Sequence, residues 1–473
     1  MAADAFAGKN CTEAGAFTRS SVHPPLSRSS STILVLHTYS TSEAEVALGR
    51  KCKDNERNNA GSTAKLPFPA AFAILPCMKR ALRIAVQVET NRAHGRALLE
   101  GIADYALAHT DWRLEPVEPG LLTDPSNAGG FDGLIVRVMD DTTADALVAA
   151  KRPTVDVYGR LDKSPIPYIR LDDDAIGACA ARCFAEHRYS RCAYCGFSGL
   201  RFSVARGESF ARSIELGGGT CTTYDGGLAR LRETFVREER MDRITDDGSL
   251  RSWIRALPKP VAVFCCNDIR AFQLLKACAD EKIEVPHEVA VLGVDNDRVL
   301  CTFANPPLSS IDTNPFSLGM RAAEMLNAQI SSPDEQPPMA VLHAPRRVVE
   351  RTSTEFYPTK TPWLSDALVY IRRNLGKGVS AADVTAHLGY SHTTVGKVFR
   401  EELGTSVQQE IIRLRRETAC RLLKETKRTA ADIAADCGYP SAQYFAHQFS
   451  AHFGTTPDVW RKRARQTDIA KPA

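Results

Sequence analysis

The chain has 473 residues, with 44% hydrophobic and 25% charged side chains and a formal net charge of +4. At roughly 100–200 residues per domain this is two to four ordinary globular domains, which excludes disulfide-stapled miniature scaffolds and wholly disordered chains. No apolar run reaches the roughly 18–20 residues a membrane helix needs, so neither a membrane-spanning protein nor a membrane partner is expected.

Residues 1–77 do not read as a domain. Residues 19–32 are rich in Ser and Pro, and residues 43–65 are polar and charged, a composition expected of disorder. The string MKRALRIAVQV from Met78 begins as a first strand does. The stretch is therefore read as a disordered extension, with a start of translation at Met78 as the alternative.

From Leu82 strand and helix signals alternate. The strand candidates are 83–88, 133–138, 154–158, 168–171, 192–197, 261–266, 289–294 and 308–311. Most are near-continuous apolar runs, as parallel strands covered on both faces require. Between them lie amphipathic stretches at 94–109, 174–187, 203–216 and 268–281. This alternation predicts an α/β fold with doubly wound parallel sheets, and its length predicts two lobes over 78–352. The 14 cysteines sit mostly inside apolar runs, and Cys192-x-x-Cys195 lacks a second ligand pair. Buried, reduced thiols in a cytoplasmic protein are expected, with no metal and no cofactor.

Pro358 and Pro362, with polar filling between them, mark a linker placed at 353–361, after which the pattern is helical over 362–468. From Thr361 onward 17 Lys and Arg face 11 Asp and Glu, so the basic charge gathers in this last region, which suits an anionic partner. It also repeats itself. Ser380 to Tyr390 aligns with Thr429 to Tyr439: each unit starts with a hydroxyl residue followed three places later by Asp, and turns at a Gly. That is a capped short helix and a tight turn. A second helix follows in each unit. In the first its outer face carries His392, Thr393, Lys397 and Arg400; in the second it carries Gln443, His447 and Ser450. Short helix, turn and second helix form the helix-turn-helix plan.

The string ADIAADCGYPSAQYFAHQFSAHFGTTPDVWR at 431–461 resembles the AraC/XylS-type DNA-binding domain. That resemblance implies seven helices, two helix-turn-helix units and double-stranded promoter or operator DNA as partner. It makes Thr393 and Lys397, then Gln443 and His447, the base-facing candidates. Gly396 and Ala446 stand where the family usually has larger side chains, so part of the readout is expected to come from phosphate contacts and DNA shape.

In the α/β part the dinucleotide fingerprint GxGxxG and the phosphate loop GxxxxGK[ST] are absent, and Gly196 to Gly199 falls one residue short of a nucleophile elbow. An enzyme is not expected. Polar residues instead gather after strand ends, where open α/β sheets bind ligands: Glu89, Asn91, Arg92, Arg137, Asn267, Asp268, Asp295 and Asn296. For each one, helix capping or turn formation is the competing role.

The strings VFCCNDIRA, VPHEVAVLGVDND and PPLSSIDTN resemble the LacI/GalR-type sugar sensor, a two-lobed fold like that of periplasmic binding proteins. With the helix-turn-helix domain behind it, and with ETNRAHGRALLEGI at 89–102, the order resembles XylR-type transcription regulators. This resemblance implies that Asp268 and Asp295 hold sugar hydroxyls. It implies that Glu89, His94, Arg137, Arg206 and Asn267 line the cleft. The expected protein is a DNA-binding transcription factor of the bacterial cytoplasm and nucleoid. It would be homodimeric and controlled by a small sugar such as xylose. The alternative is a constitutive regulator whose α/β part serves dimerisation.

Overall fold

The computed structural model describes residues 80–469 except 119, 162, 198, 225–247 and 336–337. The extension at 1–77 lies outside the described residues.

The first lobe is built from β1 (Leu82–Gln87), α1 (Ala93–His109), β2 (Trp112–Pro116), β3 (Gly133–Val136), β4 (Thr154–Asp156) and β5 (Tyr168–Leu171). The chain then crosses into the second lobe. This contains α2 (Asp173–Glu186), β6 (Arg191–Cys195), α3 (Arg201–Leu216), β7 (Thr220–Thr223), β8 (Val261–Cys265), α4 (Asp268–Asp280), β9 (Val289–Val294) and β10 (Ser309–Asp312). A return crossing brings α5 (Pro315–Ser331) and β11 (Ala340–His343) back to the first lobe, and β12 (Arg347–Val349) ends in the second.

The two sheets are ordered alike, β11-β5-β4-β3-β1-β2 and β12-β10-β9-β8-β6-β7. Each contains the doubly wound order 2-1-3-4-5, with the switch point beside its first strand. All described pairs are parallel except β10 with β12. Central strands β3, β8 and β9 are buried along their whole length, because helices cover both sheet faces and leave only apolar residues tolerable there. In the first lobe α1 packs against α5 so closely that a Cβ on Gly101 or Gly319 would run into the other helix's backbone. In the second lobe Phe184, Phe210 and Phe264 form a ring cluster with centroids 5.1–6.0 Å apart.

Cys192 and Cys195 lie on opposite faces of β6, in different core clusters. The period of two in a strand turns residues three apart to opposite sides, so this pair cannot grip one ion.

The three crossings run side by side. The Asp172 N–H donates to the His343 carbonyl at 2.9 Å and the Arg346 N–H to the Asp312 carbonyl at 2.8 Å. They form the hinge between the lobes.

The helical region comprises α6 (Pro362–Asn374), α7 (Ala381–Leu388), α8 (His392–Leu403), α9 (Val407–Glu425), α10 (Ala430–Asp436), α11 (Ala442–Phe453) and α12 (Pro457–Ile469). Ser380 with Asp383, and Thr429 with Asp432, form full capping boxes on α7 and α10. Gly389 and Gly438 turn the chain with φ of 70° and 69°. The connection at 353–361 is packed rather than loose. Ser353, Thr354 and Tyr357 are buried, and the Ser353 hydroxyl donates to the Val291 carbonyl at 2.6 Å. Pro358 and the flanking Pro362 suggest a loose linker, but the Ser, Thr and Tyr side chains find partners on the sensor and on α6.

Candidate functional site

A cavity of about 220 Å³ opens between the lobes at the hinge. That is small beside the roughly 300–1,000 Å³ of pockets for drug-sized ligands, and suits something the size of a monosaccharide. The loop after β1 and the start of α1 supply Glu89, Arg92 and His94; the segment after β3 supplies Arg137. From the second lobe come Arg206 on α3, Asn267 after β8 and Asp295 after β9. Seven of the ten sensor positions singled out in the sequence therefore line one cavity, Asn91, Asp268 and Asn296 being the exceptions. The reason is topological: parallel strands deliver their C-terminal ends to one edge, and the two edges face each other.

Asp268 does not line the cavity. The residue is 1% exposed, and its carboxylate accepts from the Ser310 hydroxyl at 2.5 Å, the Asp297 N–H at 2.8 Å and the Cys301 thiol at 3.5 Å. It ties three segments of the second lobe together, behind the wall. The N-cap of α4 is Asn267, whose Oδ1 accepts from the Arg270 N–H at 2.9 Å, so this residue both caps and lines. Outside the cavity lining, Asn296 accepts from Arg351 at 2.8 Å.

The electrostatics are specific. Arg137 forms an ion pair with Glu89 and stacks its guanidinium 4.2 Å from the Tyr158 ring centre. Burial acts to raise the Glu89 pKa, but Arg137 outweighs it and holds the carboxyl below its usual range. Burial pushes His94 down to about 4, leaving a neutral imidazole at physiological pH. Arg206, 3% exposed, bonds Asp173 at 2.9 Å and the Cys266 carbonyl at 2.6 Å. Burial raises Asp295 to about 6. Its backbone stands at φ 103°, a conformation that favours glycine. Strain kept at a polar cavity residue is what functional positions commonly show.

Sequence reasoning passed over Tyr158, Arg160, Arg170, Asp173, Arg201 and Phe202, which also line the cavity. The strand-end rule applied to β4 and β5 would have found Tyr158 and Asp173. Arg160, Arg201 and Phe202 lie beyond strand ends, in loops or helix starts, and carry no periodic signal.

The second candidate site is the outer face of α8 and α11. His392, Thr393, Lys397, Arg400, Gln443 and His447 are all exposed, while Val395, Phe399, Phe445 and Phe449 point into the core. Ser391 and Ser441 cap the two helices by accepting N–H bonds from Thr394 and Tyr444. Helix α9, 19 residues long, separates the units and spans roughly 28 Å.

Between the two sites lies a polar contact of lobe two with the helical region. Arg372 on α6 donates to the Tyr357 hydroxyl at 3.0 Å, to Glu350 at 2.6 Å and to Glu186 at 3.3 Å. Arg188 reaches the fully buried Glu410 on α9 at 3.1 Å. His187 stacks on Tyr357 with ring centres 5.0 Å apart. Cys183, His187 and Glu350 offer possible metal-ligand atoms within 4.8 Å of one another. The Glu350 carboxylate is, however, already bonded to Arg372. Burial, Glu350 and Glu186 push the Cys183 thiol well up, so the cluster reads as interface polarity.

Comparison with known proteins finds matches for both regions of the chain. A periplasmic binding protein-like domain matches residues 181–354, and a helix-turn-helix domain matches residues 384–463. The Xylose operon regulatory protein of Escherichia coli (strain K12) is 29% identical over 388 residues, covering 80% of this chain and 96% of the relative. Its counterpart from Haemophilus influenzae is 27% identical, covering 80% and 98%. The solved structure of the xylose-binding transcription activator xylR is 28% identical and superposes with a TM-score of 0.51, covering 81% of this chain and 99% of that one. Among the described residues no helix is long and apolar enough to cross a membrane. A hinged two-lobed sensor followed by tandem helix-turn-helix units, matched along nearly the whole length of these similar regulators, makes the chain a DNA-binding transcription regulator.

Proposed function

We propose that the chain is a one-component switch, not an enzyme, that acts in the cytoplasm as a homodimer on promoter DNA and is set by a monosaccharide bound between its lobes. The observation that carries this reading is the interlobe cavity, whose polar residues come from both lobes at the hinge. A ligand gripped from both sides favours the closed arrangement over the open one, and that difference in affinity is all a population shift requires. Asp295 and Asn267 accept sugar hydroxyls, Glu89 and Arg137 act as a pair from the opposite wall, and Arg92, His94 and Arg206 complete the lining. Asp268, assigned to sugar hydroxyls by resemblance, serves by fixing the loop that carries Asp295.

On DNA, α8 and α11 enter successive major grooves. Thr393, Lys397, Gln443 and His447 face base edges, while His392 and Arg400 flank them toward phosphates. Xylose, named in the relatives, is the first sugar to test. In thermal shift against xylose, arabinose and ribose, a ligand at a hundred times its Kd adds about 2.7 kcal/mol of stability. The same sugar should change affinity for promoter DNA in a mobility-shift assay. A sugar that stabilises the protein without changing DNA affinity would break the switch reading.

A further inference from the structure

The cavity is richer in cations than a neutral polyol needs. Six arginines line it (92, 137, 160, 170, 201 and 206) against three carboxylates, Glu89, Asp173 and Asp295. Two of those carboxylates are engaged: Glu89 by Arg137 and Asp173 by Arg206. Arg160 and Arg170 are placed differently. Arg160 donates to the Met139 carbonyl at 2.6 Å and Arg170 to the Gly159 carbonyl at 3.3 Å. A carbonyl satisfies an N–H group but neutralises no charge, and among the described residues neither arginine forms an ion pair. Burial and the like charge of Arg201 hold the Arg170 pKa below its usual value, against the opposing pull of Tyr168, Asp173 and Asp172.

Guanidinium forks match carboxylate and phosphate groups geometrically and electrostatically, whereas neutral sugar hydroxyls accept N–H bonds but leave the charge uncompensated. We infer that the effector is an anionic monosaccharide, a sugar acid or sugar phosphate, whose charged group docks against Arg160 and Arg170 while Asp295 and Asn267 take its hydroxyls. This rests on the monosaccharide reading above and narrows it to one chemical class.

The test uses the full chain in isothermal titration. The ligands are D-xylose, D-xylonate, D-glucuronate and D-ribose 5-phosphate, with inorganic phosphate as the bare anion, each at low and raised salt. At least one anionic sugar should bind about tenfold or more tighter than xylose and weaken as salt rises. The carboxylate and phosphate arms then show which group the arginines take. Arg170→Gln should cut that affinity about tenfold and flatten the salt dependence, and Arg170→Lys should restore part of both. Xylose binding as tightly as every anionic sugar overturns the anionic assignment and leaves the sugar-sensor reading intact. Inorganic phosphate matching the sugar phosphate overturns it too, since the sugar would then add nothing. Binding of no sugar at all overturns both readings. An Arg170→Gln protein that keeps full affinity and salt dependence for an anionic sugar overturns the docking position.

Discussion

Asp295 joins two costs at one position. Its φ of 103° is strained for a residue with a β-carbon, at about 1–3 kcal/mol, and burial lifts its carboxyl to about 6. A folded-state pKa above the unfolded value means that the native protein binds the extra proton. The ionised carboxyl therefore costs stability above about pH 6, and the cost fades as pH falls through 6 toward 4. Because the side chain is only half-buried, the ionisation share is about 1–2 kcal/mol rather than the full shift. We expect Asp295→Asn to raise the melting temperature of the ligand-free protein near neutral pH, with the gain shrinking in acid. Asp295→Gly should keep part of its gain at both pH values, because strain relief does not titrate. Both variants should lose the effector response. Melting curves at neutral and acid pH check this, and a lower melting temperature for both variants at neutral pH would contradict it. Asp268→Ala should behave oppositely. It strips a buried acceptor from Ser310 and the Asp297 N–H and should lower stability by about 1–3 kcal/mol even without ligand.

Among the elements, α8 carries a glycine in its middle. Nothing but the end of Arg400, 3.8 Å away, faces a Cβ built on Gly396. Gly396→Ala should stabilise the helical region by about 0.5–1 kcal/mol in thermal melts. A loss would mean that the DNA or another surface needs the bare backbone. On α11, Gln443→Ala and His447→Ala should each cost about 1–3 kcal/mol on promoter DNA and little on random DNA, measured by fluorescence anisotropy. Equal losses on both would make them phosphate contacts. The central strands were legible in the sequence because burial on both faces leaves apolar runs such as Val289–Val294. Edge strands β2, β7 and β11 were not. One flank of each is open, so sequences such as Thr220–Thr223 stay polar and mostly exposed. The cavity was legible to the extent that strand ends define it. Arg160 and Arg201 stayed hidden because only the meeting of two lobes places them there.

For the whole molecule, the sensor and the helical region are joined by charged groups that burial makes consequential. Glu410 has no exposure, and although burial acts to raise its pKa, Arg413 and Arg188 hold it low. Arg188→Ala leaves this carboxylate to Arg413 alone and should cost about 1–3 kcal/mol. In calorimetry the variant should unfold in two separated transitions, sensor and helical region, with effector shifting only the first. One cooperative transition at the parent temperature would show that docking does not depend on this pair. The three crossings at the hinge have a further consequence, for how such a protein can be recombined. Neither lobe is a continuous stretch of chain, since β11 completes the sheet of lobe one and β12 that of lobe two after both have otherwise formed. A chimaera spliced between the lobes would leave each sheet without an edge strand. The whole sensor must be exchanged as one cassette, and the workable seam lies in the connection at 353–361. A graft there keeps its signalling only if the donor also brings partners for Tyr357, Arg372 and Glu410.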